Sequence, residues 1–239
     1  MGLATGLMPF LMQEGAQRPW FGDVLTLGRQ NIAVSGRDLA RLNADASLRC
    51  LVHQPPDSED RLSDDELFRA LGFDRVFALD INAYENADFI MDMNSANVPS
   101  HLQGKFDLVF DGGTLEHVFD IATALRNTCR MVRPGGRIMH MGPMSNCADH
   151  GFYSFSPVLF ADFYSANNWT IHRITVARFE PDTDFWELTD YHPNHYGTLG
   201  QLGGGAFLVL VCVQATPEST FDLVPQQSFF KKLWAETHP

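Results

Sequence analysis

The chain has little positive charge and few cysteines, and each shortage excludes a class of protein. Seventeen Lys and Arg residues stand against 29 Asp and Glu residues, which gives a formal net charge of −12. Because nucleic-acid affinity depends on clustered Lys and Arg, a nucleic-acid partner is disfavoured. The four cysteines form neither a CxxC pair nor a dense disulfide framework, which favours a reducing, cytoplasmic location.

The sequence also lacks a long apolar run. No stretch reaches the roughly 18 residues that a membrane-spanning helix needs, and residues 1–12 lack the basic region and cleavage site of a signal peptide. We therefore expect no membrane partner and interpret residues 1–22 as an N-terminal helical extension. With 239 residues, 45% of them hydrophobic, the chain can form one sizeable core.

Strand-like and helix-like segments alternate along the chain, which predicts an α/β fold with a mostly parallel sheet. The strand-like segments are residues 23–28, 75–80, 87–91, 106–111, 137–142, 169–179 and 206–214. The helix-like segments are residues 36–43, 63–71, 121–132 and 157–166. Ser63 and Glu66 form a capping-box pattern at the start of one of these helices. A glycine run at 203–205 precedes the last strand, so we expect the last two strands to be antiparallel neighbours.

Three aspartates, Asp80, Asp92 and Asp111, stand at or just after the ends of predicted strands. The carboxyl ends of parallel strands meet at one crevice, where these side chains can converge on a ligand. Asp80 is the sharpest candidate, because a carboxylate at the end of the second strand can accept hydrogen bonds from both ribose hydroxyls of a nucleoside. The alternative for Asp80 is a helix cap or a solvated loop acid, and for Asp92 a helix or turn cap.

One stretch carries a family resemblance. Phe106-Asp107-Leu108-Val109-Phe110-Asp111 leads into a Leu115-Glu116-His117 turn, and a Pro134-Gly135-Gly136 turn follows one helix later. This arrangement resembles class I S-adenosylmethionine-dependent methyltransferases of the small-molecule type. The resemblance implies a Rossmann-like, seven-stranded sheet with its last strand antiparallel and helices on both faces. It also implies a methyltransferase-like domain over residues 23–216, followed by a C-terminal tail or helix at 217–239. The aromatic residues of the loop at 180–202 indicate a lid-like insertion over the acceptor pocket or an aromatic surface patch.

The resemblance further implies S-adenosylmethionine as the cofactor and assigns residues to it. Gly28 would lie under the methionine part, Asp80 would hold the ribose, and Asp92 with Met93 would meet the adenine. The residues from Asp111 to Thr114 would line the methyl-donor pocket. The implied cofactor-binding residues are Gly28, Arg29, Gln30, Asp80, Ile81, Asp92, Met93, Asp111, Gly112, Gly113 and Thr114.

The first loop departs from the family pattern. The family has Gly-x-Gly-x-Gly, whereas this chain has Gly28-Arg29-Gln30-Asn31, and glycines there let the backbone approach a ligand closely. For Arg29 and Gln30, three roles stay open: reaching a ligand, tying down the loop with hydrogen bonds, or a surface or packing role. Two functions therefore stay open: methyl transfer to a small-molecule acceptor, and a catalytically silent relative that binds the cofactor or a partner. A dinucleotide-dependent dehydrogenase is weaker, because it needs the same glycines.

Methyl transfer requires a general base only if the acceptor starts protonated. His150 and His117 are the candidates, because a neutral imidazole suits this task near physiological pH, and Tyr153 is expected to project into the crevice. The alternative for His117 is a helix cap or packing over the cofactor. We predict no metal, since Pro193 disfavours a helical presentation of the His192 and His195 pair. A homo-oligomer is compatible with the sequence.

Overall fold

The computed structural model describes residues 2–45, 52, 55–180, 186–192 and 202–237. Strands and helices alternate through its centre, as the sequence predicts. The strands are β1 (Gly2–Ala4), β2 (Asp23–Leu27), β3 (Asn31–Ala33), β4 (Arg75–Asp80), β5 (Phe89–Ile90), β6 (Phe106–Asp111), β7 (Val132–Ser145), β8 (Thr170–Phe179), β9 (Trp186–Asp190) and β10 (Ala206–Gln214). The α-helices are α1 (Met8–Gln17), α2 (Gly36–Ala44), α3 (Asp64–Leu71), α4 (Ile121–Met131), α5 (Pro157–Ala166) and α6 (Ser228–Thr237).

Eight of the described strands form one sheet in the order β5-β4-β2-β6-β7-β10-β8-β9. The first five are parallel to one another, whereas β10 is antiparallel to both β7 and β8, and β9 is antiparallel to β8. The Rossmann-like α/β fold is therefore confirmed, and so is the antiparallel pairing of the last two predicted strands. The expected count of seven strands is wrong, because β9 adds an eighth.

The core lies on both faces of this sheet, and β10 shows how. Its side chains alternate between the two faces, so that Val209 packs in the cluster that contains Phe160 of α5. Leu208, the preceding residue, packs in the cluster that contains Phe68 of α3. Both strand residues are fully buried. The expected placement of helices on both faces is confirmed.

Local signals set several helix boundaries as the sequence predicts. The Ser63 hydroxyl accepts a hydrogen bond from the Glu66 backbone N–H, and the Glu66 carboxylate accepts one from the Ser63 N–H. The capping box at the start of α3 is therefore confirmed. Gly72 ends the same helix in the left-handed conformation, at a φ of 117°. In the part of the chain that the structure describes, no helix is both long and apolar enough to cross a bilayer.

Two boundaries differ from the prediction. The expected helical extension over residues 1–22 starts instead as β1, which pairs in parallel with β3 in a separate two-stranded sheet. Helix α1 begins only at Met8, with Pro9 in its first turn. Proline is tolerated there because the backbone N–H that it lacks would have no partner within the helix. Strand β7 begins at Val132, before the Pro-Gly-Gly turn, because Val132 pairs with Phe106 across a register shift.

The predicted lid also differs. Strand β9 lies within it and forms the edge of the sheet, where three strands separate it from β6. Trp186 stacks on Phe179 with a ring-centroid distance of 4.5 Å. Residues 186–190 are therefore held by sheet pairing rather than free to close over the crevice. Residues 181–185 and 193–201 of the predicted lid, which include His195, lie outside the described residues.

Candidate functional site

A cavity opens at the carboxyl ends of β2, β4 and β6, where the sequence predicts a ligand. Its walls are Leu27, Gly28, Leu79, Asp80, Ile81, Met91, Asp92, Met93, Asn94, Thr114, His117 and Val118. The structure thus brings together six of the predicted cofactor-binding residues: Gly28, Asp80, Ile81, Asp92, Met93 and Thr114. One predicted catalytic residue, His117, shares the same wall.

The inner end of this cavity depends on Gly28. Its φ is 71°, a left-handed conformation that side-chain-bearing residues rarely adopt. The Gly28 N–H donates to the Leu79 carbonyl at 2.7 Å, and the Thr114 hydroxyl donates to the Leu27 carbonyl at 2.6 Å. These two bonds hold the ends of β2, β4 and β6 together. Asp80 remains on the wall, and its Oδ1 accepts the Asn82 N–H at 3.3 Å.

The outer end of the cavity is formed by Asp92, Met93 and Asn94. The Asp92 carboxylate accepts hydrogen bonds from the Asn94 backbone N–H at 2.9 Å and from its side-chain amide at 2.8 Å. These bonds lower the pKa of Asp92, so it is ionised at neutral pH. Met93 is buried and provides an apolar surface. Sequence reasoning missed Asn94, although it follows Asp92 and Met93 directly.

The Arg29-Gln30 segment is a tied loop and does not line the cavity. The Arg29 guanidinium contacts Asp88 at 3.0 Å and Asp64 at 3.5 Å. The Gln30 side-chain amide donates to the Leu27 and Gly28 carbonyls at 3.1 and 3.0 Å. These contacts agree with the second of the roles left open by the sequence, in which hydrogen bonds hold the loop where the family uses glycines.

Asp111 also lies behind the cavity rather than on its wall. It is buried, and its carboxylate accepts the backbone N–H groups of Thr114 and Leu115 at 3.0 and 3.2 Å. Its other oxygen lies 2.9 Å from Nδ1 of His140, whose Nε2 lies 2.6 Å from the Tyr164 hydroxyl. The expectation that Asp111 lines the pocket is therefore corrected: it positions the turn that carries Thr114.

Gly112 and Gly113 need the same correction, because neither is on the cavity wall. A Cβ on Gly112 would collide with the Gln30 side chain and with the Phe110 ring, so this position lies beneath the tied loop. Gly113 has a φ of 97°, which lets the chain turn after β6. Both glycines therefore shape the backbone of the turn.

Beside His117, a buried carboxylate faces two imidazoles. The Glu116 side chain has no exposed surface, and neither of its oxygens has a hydrogen-bond partner. Its Oε1 lies 3.5 Å from Nε2 of His150 and 3.9 Å from Nε2 of His117. The two imidazole ring centroids are 5.4 Å apart. We name Glu116, His117 and His150 the carboxylate-imidazole cluster. Sequence reasoning named both histidines but missed Glu116, although it stands in the Leu-Glu-His turn itself.

The electrostatics of this cluster follow from its burial. Desolvation, and secondly the charge of Asp111, raise the pKa of Glu116 to about 7. Desolvation, and secondly the neighbouring His150, lower the pKa of His117. Both shifts arise because a buried charge is costly. The Glu116 carboxyl therefore titrates near neutral pH, and the neutral form of the His117 imidazole is favoured.

The loop after β7 closes over Glu116 because of a glycine. Gly151 has a φ of 84°, and a Cβ there would lie 2.8 Å from the Glu116 carbonyl oxygen. The Phe152 N–H donates to that carbonyl at 2.7 Å, which brings His150 to the cluster. Tyr153 is already engaged, since its hydroxyl donates to the Phe119 carbonyl at 2.7 Å. Its predicted projection into the crevice is corrected to a role in fixing this loop.

The raised pKa of Glu116 predicts a pH-dependent stability. A carboxyl whose pKa is about 7 when folded and about 4.3 when unfolded holds its proton more tightly in the native state, so stability falls as pH rises between these values. Glu116→Gln cannot ionise and should exceed the wild type in unfolding free energy at pH 8 by on the order of 3 kcal/mol, with little difference at pH 4.5.

Urea unfolding in chelator-containing buffer at several pH values measures this difference. Glu85→Gln changes an exposed glutamate and serves as the matched control, which should follow the wild-type curve. If the unfolding free energies of Glu116→Gln and the wild type changed with pH in the same way, the assigned pKa would be contradicted.

Comparison with known families agrees with this geometry. Residues 65–140 match the family model described as a methyltransferase domain. The matched stretch runs from α3 into β7 and includes Asp80, Asp92 and the turn that carries Glu116 and His117. The predicted methyltransferase resemblance and the enzyme class that it implies are confirmed over these residues.

Several solved structures are similar to this chain at low identity. A Burkholderia thailandensis 1,6-didemethyltoxoflavin-N1-methyltransferase is 16% identical, with 89% of this chain and 79% of that chain covered and a TM-score of 0.45. An S-adenosylmethionine-dependent methyltransferase from Mesorhizobium loti is 16% identical, with 87% and 97% covered and a TM-score of 0.44. No match was found among curated proteins.

The left-handed conformation of Gly28 yields a prediction for cofactor affinity. Gly28→Ala should lose about 1 kcal/mol of stability through backbone strain and should weaken S-adenosylhomocysteine binding, because the new Cβ would stand 3.4 Å from the Thr114 hydroxyl on the cavity wall. Gly135→Ala is the matched control, since Gly135 has a similar φ of 77° and open space around it. Gly135→Ala should lose a similar amount of stability and should bind S-adenosylhomocysteine as the wild type does. Equal affinity in both variants would remove Gly28 from the cofactor site.

Proposed function

We propose that this chain transfers a methyl group from S-adenosylmethionine to a small-molecule acceptor. The observation that carries the proposal is one cavity at the carboxyl ends of β2, β4 and β6, with Gly28 and Asp80 on its wall and the carboxylate-imidazole cluster beside it. The net charge of −12 supports a small acceptor over a nucleic acid. A cytoplasmic location and a homo-oligomer stay predictions.

The wall residues fit the cofactor. Asp80 provides a carboxylate for the two ribose hydroxyls, and Met93 provides apolar surface for the adenine ring. Gly28 leaves space for the methionine part, since only Thr114 and Asp80 come within 4 Å of a Cβ built there. When bound, S-adenosylmethionine supplies a methyl group that its sulfonium already makes electrophilic. The task left to the protein is to align the acceptor and to manage its proton.

We assign the acceptor side to the carboxylate-imidazole cluster. His117 belongs both to the cavity wall and to the cluster, so the cluster adjoins the cofactor's site. It contains a carboxyl group with a pKa of about 7 and two imidazoles, which are the groups that assist proton transfer near neutral pH. The role of His150 as general base stays a prediction.

The second candidate is a catalytically silent relative, which the missing loop glycines favour. Methyl-labelled S-adenosylmethionine tests the two against each other. The chain is incubated with labelled cofactor and with either a metabolite fraction or a macromolecular fraction of a cell extract. Enzyme-dependent label in the metabolite fraction supports the proposal. Tight cofactor binding with no label in either fraction favours the silent relative, and label in protein or nucleic acid alone contradicts the small-molecule acceptor.

A further inference from the structure

The carboxylate-imidazole cluster has the donor set of a metal site. Its three ligand atoms, one carboxylate oxygen and two imidazole nitrogens, all lie within 4.8 Å of one another. Two ligands at tetrahedral positions about 2.1 Å from a metal ion are separated by about 3.4 Å, and Glu116 Oε1 lies 3.5 Å from His150 Nε2. His117 Nε2 lies 3.9 Å from Glu116 Oε1, so His117 would move closer when all three ligands share one ion.

The polar atoms of the cluster are also unsatisfied within the protein. Both carboxylate oxygens of Glu116 and the Nε2 atom of His150 are buried without a hydrogen-bond partner. Buried polar atoms are nearly always paired, so unpaired atoms that face one another call for a bound species. A cation suits them, because a carboxylate and two imidazole lone pairs all donate electrons and none of them is a cationic side chain.

We infer that Glu116, His117 and His150 hold one divalent first-row transition-metal ion beside the cofactor cavity. Mixed imidazole and carboxylate ligands favour Zn²⁺ and its neighbours over Mg²⁺ or Ca²⁺. Three protein ligands leave at least one coordination position open. In one respect the inference rests on the proposed function: the open coordination position takes an oxygen of the methyl acceptor, such as that of a hydroxyl or an enol, next to His117 on the cavity wall. The sequence analysis predicted no metal, after considering only the His192 and His195 pair. The inferred metal site lies at different residues.

Co²⁺ is the probe, because its visible absorption reports imidazole and carboxylate coordination without any turnover. The untagged chain is freed of metal with a chelator, dialysed and titrated with Co²⁺, and Zn²⁺ is then added as competitor. We expect a saturable absorption band at one ion per chain that Zn²⁺ abolishes. Glu116→Gln and His150→Ala should each weaken Co²⁺ binding by more than about tenfold, whereas Glu85→Gln, at an exposed position, should bind as the wild type does.

Absence of a saturable band, or equal binding by all variants, would overturn the inference. Thermal unfolding of each variant confirms that it folds. S-adenosylhomocysteine binding is measured on the same metal-free samples, which separates this inference from the proposed function. Cofactor binding without Co²⁺ binding leaves the methyltransferase proposal intact and refutes the metal site. Co²⁺ binding without cofactor binding supports the metal site and contradicts the proposed function.

Discussion

Replacing His150 with alanine is expected to lower methyl-transfer turnover by about 10²–10⁴-fold while cofactor affinity stays nearly unchanged. His150 adjoins Glu116 and His117 but is not on the cofactor cavity wall. Its loss removes an imidazole from the acceptor side without touching the predicted ribose and adenine contacts. The fold should tolerate the change, because the side chain is partly exposed and the backbone N–H of residue 150 still donates to the Cys147 carbonyl.

Steady-state rates with an acceptor found by the labelling assay, together with cofactor titration, measure the two effects separately. His101→Ala is the matched control, since His101 is an exposed histidine beside Phe89 and should retain full activity. An equal loss of turnover and of cofactor affinity would indicate a structural histidine. Turnover like that of the wild type would make His150 a bystander, with alignment alone driving the reaction.

The second large effect is expected at Asp80. Asp80→Ala should weaken S-adenosylhomocysteine binding by about 10²–10⁴-fold, because two hydrogen bonds to a carboxylate, each worth about 1.5–3 kcal/mol, are lost. The Asp80 carboxylate lies on the cavity wall at the end of β4, where ribose hydroxyls can reach it.

Asp92→Ala provides the comparison for this effect. The Asp92 carboxylate also lies on the wall, but it already accepts two hydrogen bonds from Asn94, so less of its capacity remains for a ligand. We expect a smaller loss of affinity than at Asp80, and the isosteric Asp80→Asn should fall between the two. Calorimetric titration of the three variants measures the order. Unchanged affinity in Asp80→Ala would remove the ribose assignment.

The sheet was predictable where its strands are long and buried. Strand β6 spans Phe106–Asp111, which coincides with its predicted bounds, because six consecutive buried residues end at a turn. Strand β9 was hidden because it is a short edge strand in which only Trp186 and Leu188 are partly buried, so its sequence resembles a loop. Strands β1 and β3 have three residues each, too few to show an alternating pattern.

The site was predictable in position but not in partners. Asp80 and Asp92 follow from the rule that strand ends share a crevice. The position of Asp111 depends on strand register, because Asp111 pairs directly with His140 across β6 and β7. The carboxylate therefore contacts His140 and the following turn instead of the cavity. Glu116 was missed for a similar reason: its neighbour His150 is brought by the Gly151 turn, which local sequence does not reveal.

The most direct test of the central claim is calorimetric titration of the wild-type chain with S-adenosylhomocysteine, with NAD⁺ as the control nucleotide. The account predicts saturable binding of S-adenosylhomocysteine at one site per chain, abolished or strongly weakened by Asp80→Ala, and no comparable binding of NAD⁺. Binding of NAD⁺ in place of S-adenosylhomocysteine, or no binding of either, would contradict it.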